Sequence, residues 1–463
     1  MVYKTPIIGP DMSSREKALD ALEGQLHLDT AQLKRLSQLI QDEMKLGLAK
    51  EGKGNMAMLP SWITRRPTGQ EKGEYLGLDL SGSYVRLYFV TLHGKGRITT
   101  TRQQKYTVKE ELKVGPLLHL IEFMAECLDS FISFIQKEKV SLSLGLCISF
   151  PLVQTALNHA SILRSTKDFV LTEYENKNVV DLFQAAVEKR GLSVIVKAAS
   201  NGAASCLLAH SYRSLDTLLA CTVSTGTNSA YWEKLDAIEK LPDLKPQDDN
   251  DEMILNTEWG SFGDTNADTI PHTFYDVRVN RQSVNPGVHV YEKMIAGLYL
   301  GEIVRLIMVD FVDRRLLFDI HYSDELNRPY SFESAYMSAI EQDESSDLET
   351  TKHLLEHVMN IQKTTITDRR MVKKICKLVG KRAARLIAAG MSAIIEKRNA
   401  LVTGLSISVE GTIYEHYSNF PIRVNAALKE IYGQNMVERI NIGVTHDGNG
   451  VGAALAAMIA CYV

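Results

Sequence analysis

A chain of 463 residues exceeds what one compact core usually encloses, so two lobes are the default expectation. Its composition, 45% hydrophobic and 23% charged, is ordinary for a globular protein in water, and a net charge of −4 leaves no footprint for nucleic acid or an anionic membrane. No apolar run approaches the roughly 20 residues of a membrane span, and residues 1–12 lack the basic and apolar regions of a secretory signal.

Residues 1–57 read as a short irregular tail and a helix, with Leu33, Leu36, Ile40 and Met44 at helical spacing and Asp29 or Thr30 as its cap. Gly47, Gly52 and Gly54 end that helix, and Pro60 begins the folded body. A first lobe, 58–200, carries strands over 75–80 and 85–92, and a third after the turn His93-Gly94-Lys95-Gly96. A helix over 114–137 gathers Leu117, Leu120, Ile121 and Met124 on one face. The strand 143–150 stops at Pro151, which cannot continue a central ladder. An amphipathic helix, 179–189, and a strand, 193–199, lead to Asn201.

The second lobe, 201–447, opens on a hairpin over 218–233 that turns at Ser224 to Asn228, a weak echo of the first at Ser81 to Tyr84. Long helices are expected over 289–310, 350–364 and 368–397, the last interrupted by Gly380 and Gly390, then a strand over 401–409. A small-residue helix follows at 451–462. The acidic runs 248–252 and Asp343-Glu344 read as solvated loops without a role. Six scattered cysteines (127, 147, 206, 221, 376 and 461) form no Cys-x-x-Cys pair. Reduced core thiols in a cytoplasmic protein are the expectation, with a nuclear pool left open.

The stretch from Asn201 to Asn228 organises the rest. Ser200-Asn201-Gly202-Ala203 opens a helical segment, and the strand after it breaks on Ser224-Thr225-Gly226-Thr227-Asn228. Small residues there leave backbone N–H groups able to nest an anion, although an ordinary hairpin with glycine at its turn reads the same way. Around this stretch stand Ser149-Phe150-Pro151, Thr166-Lys167, Glu258-Trp259-Gly260 and Tyr291-Glu292-Lys293. Leu144-Gly145-Leu146 precedes the first of these, and Gly297-Leu298-Tyr299-Leu300-Gly301-Glu302 follows the last. In that order and context the chain resembles the hexokinases, fungal ones most closely, from about Met58 onward.

The resemblance implies an α/β fold of the two-lobed actin-like ATPase (ribonuclease H-like) kind, with a sugar cleft between the lobes and residues 448–463 crossing back to complete the small one. It implies a hexose, glucose first, held by Ser149, Thr166, Lys167, Asn201, Asn228, Glu258 and Glu292. On the nucleotide side it points to Asp79, Ser81, Gly82, Ser83 and Arg86, to Thr225, Gly226 and Thr227, to Glu410, Gly411 and Thr412, and to Asp447, Gly448 and Asn449. Asp79 would organise Mg²⁺ through water, with Mg·ATP as cosubstrate if the chain is active.

Departures from the pattern cluster on the chemistry. Where the family has the aspartate that takes the proton from the sugar hydroxyl, this chain has Gly202. The first phosphate loop, Leu-Asp-Leu-Gly-Gly-Thr-Asn in the family, is Leu78-Asp79-Leu80-Ser81-Gly82-Ser83-Tyr84 here, where a Cβ at 81 would restrict any positive φ and Tyr84 sets a ring beside the terminal phosphate. Ser224 replaces glycine, Glu410 replaces aspartate, Asn449 replaces serine, and Ser165 and Asp168 replace tryptophan and glycine. Asp168 is the one new carboxylate near the sugar residues, either a substitute base or a surface aspartate. Three functions therefore compete: a sugar-binding regulator or sensor with impaired catalysis and a regulatory protein partner, an active ATP-dependent hexokinase of glycolysis, and a protein-binding scaffold.

Overall fold

The computed structural model describes residues 12–165, 169–248, 251–266 and 269–462. Two helices come first, α1 (Met12–Leu26) and α2 (Thr30–Leu48). Asp29 caps α2 in a reciprocal capping box with Gln32. Leu22, Leu26, Leu33, Leu36, Ile40 and Met44 lie in the same core as the large lobe. α1 itself was not expected; its buried face is narrow, built on Ala18, Leu22 and Leu26.

The small-lobe sheet contains β1 (Lys72–Ser81), β2 (Tyr84–Gly94), β3 (Arg97–Thr107), β4 (Leu142–Ile148) and β5 (Val194–Ser200), in the order β3-β2-β1-β4-β5. One face packs on α3 (Leu117–Ile135) and α4 (Val179–Lys189). In the large lobe β6 (Thr217–Val223), β7 (Thr227–Lys234), β8 (Glu252–Asn256), β9 (Leu405–Glu410) and β10 (Ile440–Val444) follow the order β8-β7-β6-β9-β10, with the two-residue strand Leu59–Pro60 added at the β8 edge. Each sheet thus repeats one plan: an antiparallel meander of three strands whose first strand pairs in parallel with a later strand, which in turn pairs in parallel with another.

Two helices separate the sheets. α5 (Gly202–Ser211) and α9 (Gly448–Ala460) pack on each other and share an apolar cluster with Tyr88 and Val90 of β2 and with Ala220, Trp232 and Ile254 of the large sheet. α9 rests directly on the small sheet: a Cβ on Gly77 would stand 2.0 Å from the Gly450 carbonyl oxygen, and one on Gly145 only 1.9 Å from that of Ala453. The large lobe is filled by α6 (Gly297–Asp313), the long α7 (Ile366–Lys397) and α8 (Phe420–Tyr432).

Several boundaries differ from expectation for local reasons. The helix expected over 289–310 is two, Val290–Lys293 and α6, with Ala296 in extended conformation between them. Val114–Pro116 is a short strand, so α3 starts only after Pro116. The segment over 350–364 passes from Glu349–His353 into a π-helical turn, Leu354–Val358. β9 waits until Gly404, at φ 84°, has turned the chain. The acidic runs are not wholly solvated: Asp343 accepts from the Thr351 N–H and hydroxyl, both at 2.8 Å, and Glu252 accepts from Arg66 at 2.6 Å. Five of the cysteines are buried, and Cys461 is exposed.

Candidate active site

The hairpin turn after β6 meets the segments that carry two of the expected sugar residues, Glu258 and Glu292. Glu258 is buried in left-handed backbone, φ 53°. Its Oε1 accepts from the side-chain amides of Asn228, at 2.7 Å, and Asn256, at 2.8 Å. Two donors on one oxygen fix the carboxylate's orientation, and the second oxygen receives neither. Asn256 was not singled out in the sequence; it is the last residue of β8, and the left-handed backbone at Glu258 turns that side chain back onto its amide.

Glu292 is equally constrained. The Thr227 N–H donates to Oε2 at 2.9 Å, and His289 Nδ1 stands 3.1 Å from Oε1. Arg164, on the small-lobe side of the sequence, reaches His289 Nε2 at 2.6 Å. An arginine can only donate, so Nε2 accepts and the ring proton sits on Nδ1, facing Glu292. Burial pulls the histidine's pKa down, but the bond and charge of Glu292 outweigh it and leave it above the ordinary 6.5. Neither Arg164 nor His289 was a candidate from sequence.

Asn201 caps α5, its Oδ1 taking the Ala203 N–H at 2.9 Å while its amide reaches the Phe150 carbonyl at 3.5 Å. Ser149 follows β4, and its N–H donates to the Leu80 carbonyl. Thr166, Lys167 and Asp168 lie outside the described residues.

The expected first phosphate loop, at the turn after β1, lies against the start of α9. Asp79 is fully buried. Ser81 Oγ donates to its Oδ2 at 2.9 Å, Asn449 donates to its Oδ1 at 3.3 Å, and Arg86 stands 3.6 Å from Oδ2. The expected backbone restriction at Ser81 is absent, because the positive φ of this turn, 54°, falls on Gly82; Ser81 acts through its hydroxyl instead. Lys105 Nζ lies 3.4 Å from the centre of the Tyr84 ring, and the buried Lys113 Nζ reaches Ser83 Oγ at 3.4 Å.

The second loop meets the 410–412 turn: Ser224 Oγ and Thr412 Oγ1 are 3.1 Å apart, and Gly411 takes φ 127° against the Val223 carbonyl. Thr227 Oγ1 accepts from the Trp259 indole at 3.1 Å, while a Cβ on Gly226 would crowd the Glu292 carboxylate at 2.7 Å. The Thr225 carbonyl accepts from the Leu298 N–H. Glu410 turns inward, where burial first and the Asp79 charge second push its pKa up to about 8. Asp447 accepts from the Tyr88 hydroxyl at 3.2 Å, and a Cβ on Gly448 would lie 2.6 Å from Glu410 Oε2. Gly202, first residue of α5, faces Asn449. Among the described residues, no group of three histidine, cysteine or acidic side chains is placed to hold a metal ion by itself, and no helix is long and apolar enough to cross a membrane.

Two sheets of one topology, separated by a pair of packed helices, define the actin-like ATPase class. Comparison with known proteins narrows the class. Two family profiles, each described as hexokinase, match residues 18–212 and 218–459, so the similarity begins well before Met58 and includes most of α1. A hexokinase of Kluyveromyces lactis is 36% identical over 90% of this chain and 86% of its own length, and hexokinase-1 of Schizosaccharomyces pombe is 35% identical over 95% and 90%. The structure of a Schistosoma mansoni hexokinase complexed with glucose superposes with a TM-score of 0.87 at 31% identity, covering 98% of this chain and all of that one. The chain belongs to the hexokinase family.

Proposed function

We propose that this chain binds a hexose, glucose, in the cleft between its lobes, transfers phosphate to it poorly or not at all, and serves as a sugar-responsive regulator of carbon metabolism with a regulatory protein partner. One contrast carries the reading: Glu258 and Glu292 are kept and rigidly held, whereas position 202 at the start of α5 offers no carboxylate. Phosphoryl transfer depends on positioning and charge stabilisation, with a carboxylate to accept the hydroxyl proton. Losing a general base lowers rates about 10²–10⁴-fold, and a disturbed phosphate loop weakens positioning as well. The glucose in the Schistosoma complex supports the choice of ligand.

A second reading, an active Mg·ATP-dependent hexokinase, is favoured by relatives named hexokinase that align along nearly the whole chain. Calorimetry with glucose, with and without Mg·ATP, coupled to an assay for hexose 6-phosphate at excess protein, separates the two. Glucose heat with turnover at least about 10²-fold below an ordinary kinase rate of roughly 1–100 per second is expected. Turnover in that ordinary range establishes the second reading; no heat with any hexose leaves a scaffold.

A further inference from the structure

Two departures from the hexokinase pattern, far apart in sequence, meet at one carboxylate, and a third stands behind one of them. Asp79 is held by the Ser81 hydroxyl, where the pattern has glycine with no side chain to offer, and by the Asn449 amide, where it has the shorter serine. With Arg86 also beside it, the carboxylate is closed off from solvent by its own chain. A carboxylate so enclosed has no face on which to hold a metal's water shell.

The other end of Asn449 explains the third departure. Its Oδ1 is buried without a hydrogen-bond partner and lies 3.0 Å from where a Cβ at position 202 would stand. A carboxamide donates from one end only. With its nitrogen on Asp79, its oxygen faces position 202, and an aspartate there would set carboxylate against amide oxygen. Turning the amide over moves the same repulsion to Asp79. Glycine removes the conflict, and a serine at 449, whose side chain ends at one hydroxyl, has no separate carbonyl oxygen to turn towards position 202.

We propose that Ser81, Asn449 and Gly202 form one linked unit in which side-chain donors hold the Asp79 carboxylate in place of a divalent cation, so that the cation adds nothing to nucleotide binding in this cleft. The proposal rests on the family's assignment of Asp79 to the metal side. Its outcome is separate from glucose calorimetry, so either reading can fail without the other.

The test compares wild type, the double variant Ser81→Gly/Asn449→Ser and the isosteric Asn449→Asp, which removes the amide donor and places a second carboxylate beside Asp79. ATP binding is measured by calorimetry with Mg²⁺ and with EDTA, and Mn²⁺ binding by relaxation of water protons. In wild type the two ATP affinities should agree within about twofold, while in each variant Mg²⁺ should tighten ATP by at least about tenfold. Mn²⁺ binding should appear only in the variants. If the double variant fails to fold, Asn449→Asp carries the comparison. A wild type that binds Mg·ATP about tenfold more tightly than ATP in EDTA overturns the proposal, as does a folded variant without metal dependence.

Discussion

Replacing Glu258 by glutamine isolates the charge at the centre of the sugar side. In the native chain the Asn228 and Asn256 amides both donate to Oε1, at 2.7 and 2.8 Å. A glutamine in the same rotamer has one oxygen, and those two donors claim it. Its NH₂ then occupies the position of Oε2, which can no longer accept from a sugar hydroxyl. The fold keeps both amide bonds, and the change in volume is negligible. The loss is therefore one hydrogen bond to a charged group, about 1.5–3 kcal/mol, or roughly 10–150-fold in the dissociation constant for glucose. Titration calorimetry reads the affinity, and urea unfolding without sugar checks that stability is retained. A dissociation constant within about twofold of wild type, in a protein of unchanged stability, would refute the argument that this carboxylate accepts from the ligand.

Three other outcomes follow from groups around the cleft and core. Arg382 and Asp276 form a buried pair with two contacts of 2.6 Å, so Arg382→Ala should cost about 3–5 kcal/mol in urea unfolding by stranding the aspartate. Glu410 has a folded pKa near 8 against an ordinary 4.5, so the native state holds the extra proton between those values and stability should fall as pH rises through that window. Glu410→Gln should flatten that slope in melting curves; an unchanged slope would place the titration elsewhere. Arg164 donates to His289 only while that ring is neutral, and Glu292, Glu258 and the guanidinium itself are the charges that set its titration. Acidifying from about pH 8 to about pH 5 should therefore break the bridge and enlarge the radius of gyration in small-angle scattering, and Arg164→Ala should show no such step.

What could be read from sequence was what lies within one local motif. Glu258 and Glu292 stand in contiguous text, Glu258-Trp259-Gly260 and Tyr291-Glu292-Lys293, and the hairpin turns announce themselves through small residues between apolar strands. The α2 helix was legible because Leu33, Leu36, Ile40 and Met44 repeat at its period. α1 was not, since the α7 surface that Glu23 reaches through Lys374 is 351 residues away. The meaning of Ser81 was misread for a similar reason: backbone restriction is a local inference, whereas its bond to Asp79 depends on side-chain direction. Arg164 and His289 carry no periodic or motif signal, and only the approach of the lobes brings them together. Gly202 and Asn449 each looked like an isolated loss until α5 and α9 were seen side by side.

The glycine contacts that seat α9 on β1 and β4 also set a timetable. Asp79 and Asn449 are 370 residues apart, an interval of roughly 20–75 seconds at ordinary rates of translation. For much of it, once β5 has been made, the small sheet stands with Tyr88 and Val90 lacking the late helix that packs against them. Such a half-finished face invites chaperone capture or contact with neighbouring chains. The glycines at 77 and 145 keep the groove shallow enough for the late helix to drop in as backbone on backbone, with no side chain to be cleared from its path. A nascent chain halted before residue 448 would carry Glu258 and Glu292 yet lack the helix that packs between the two sheets, so emergence of α9 from the ribosome should precede any response to sugar.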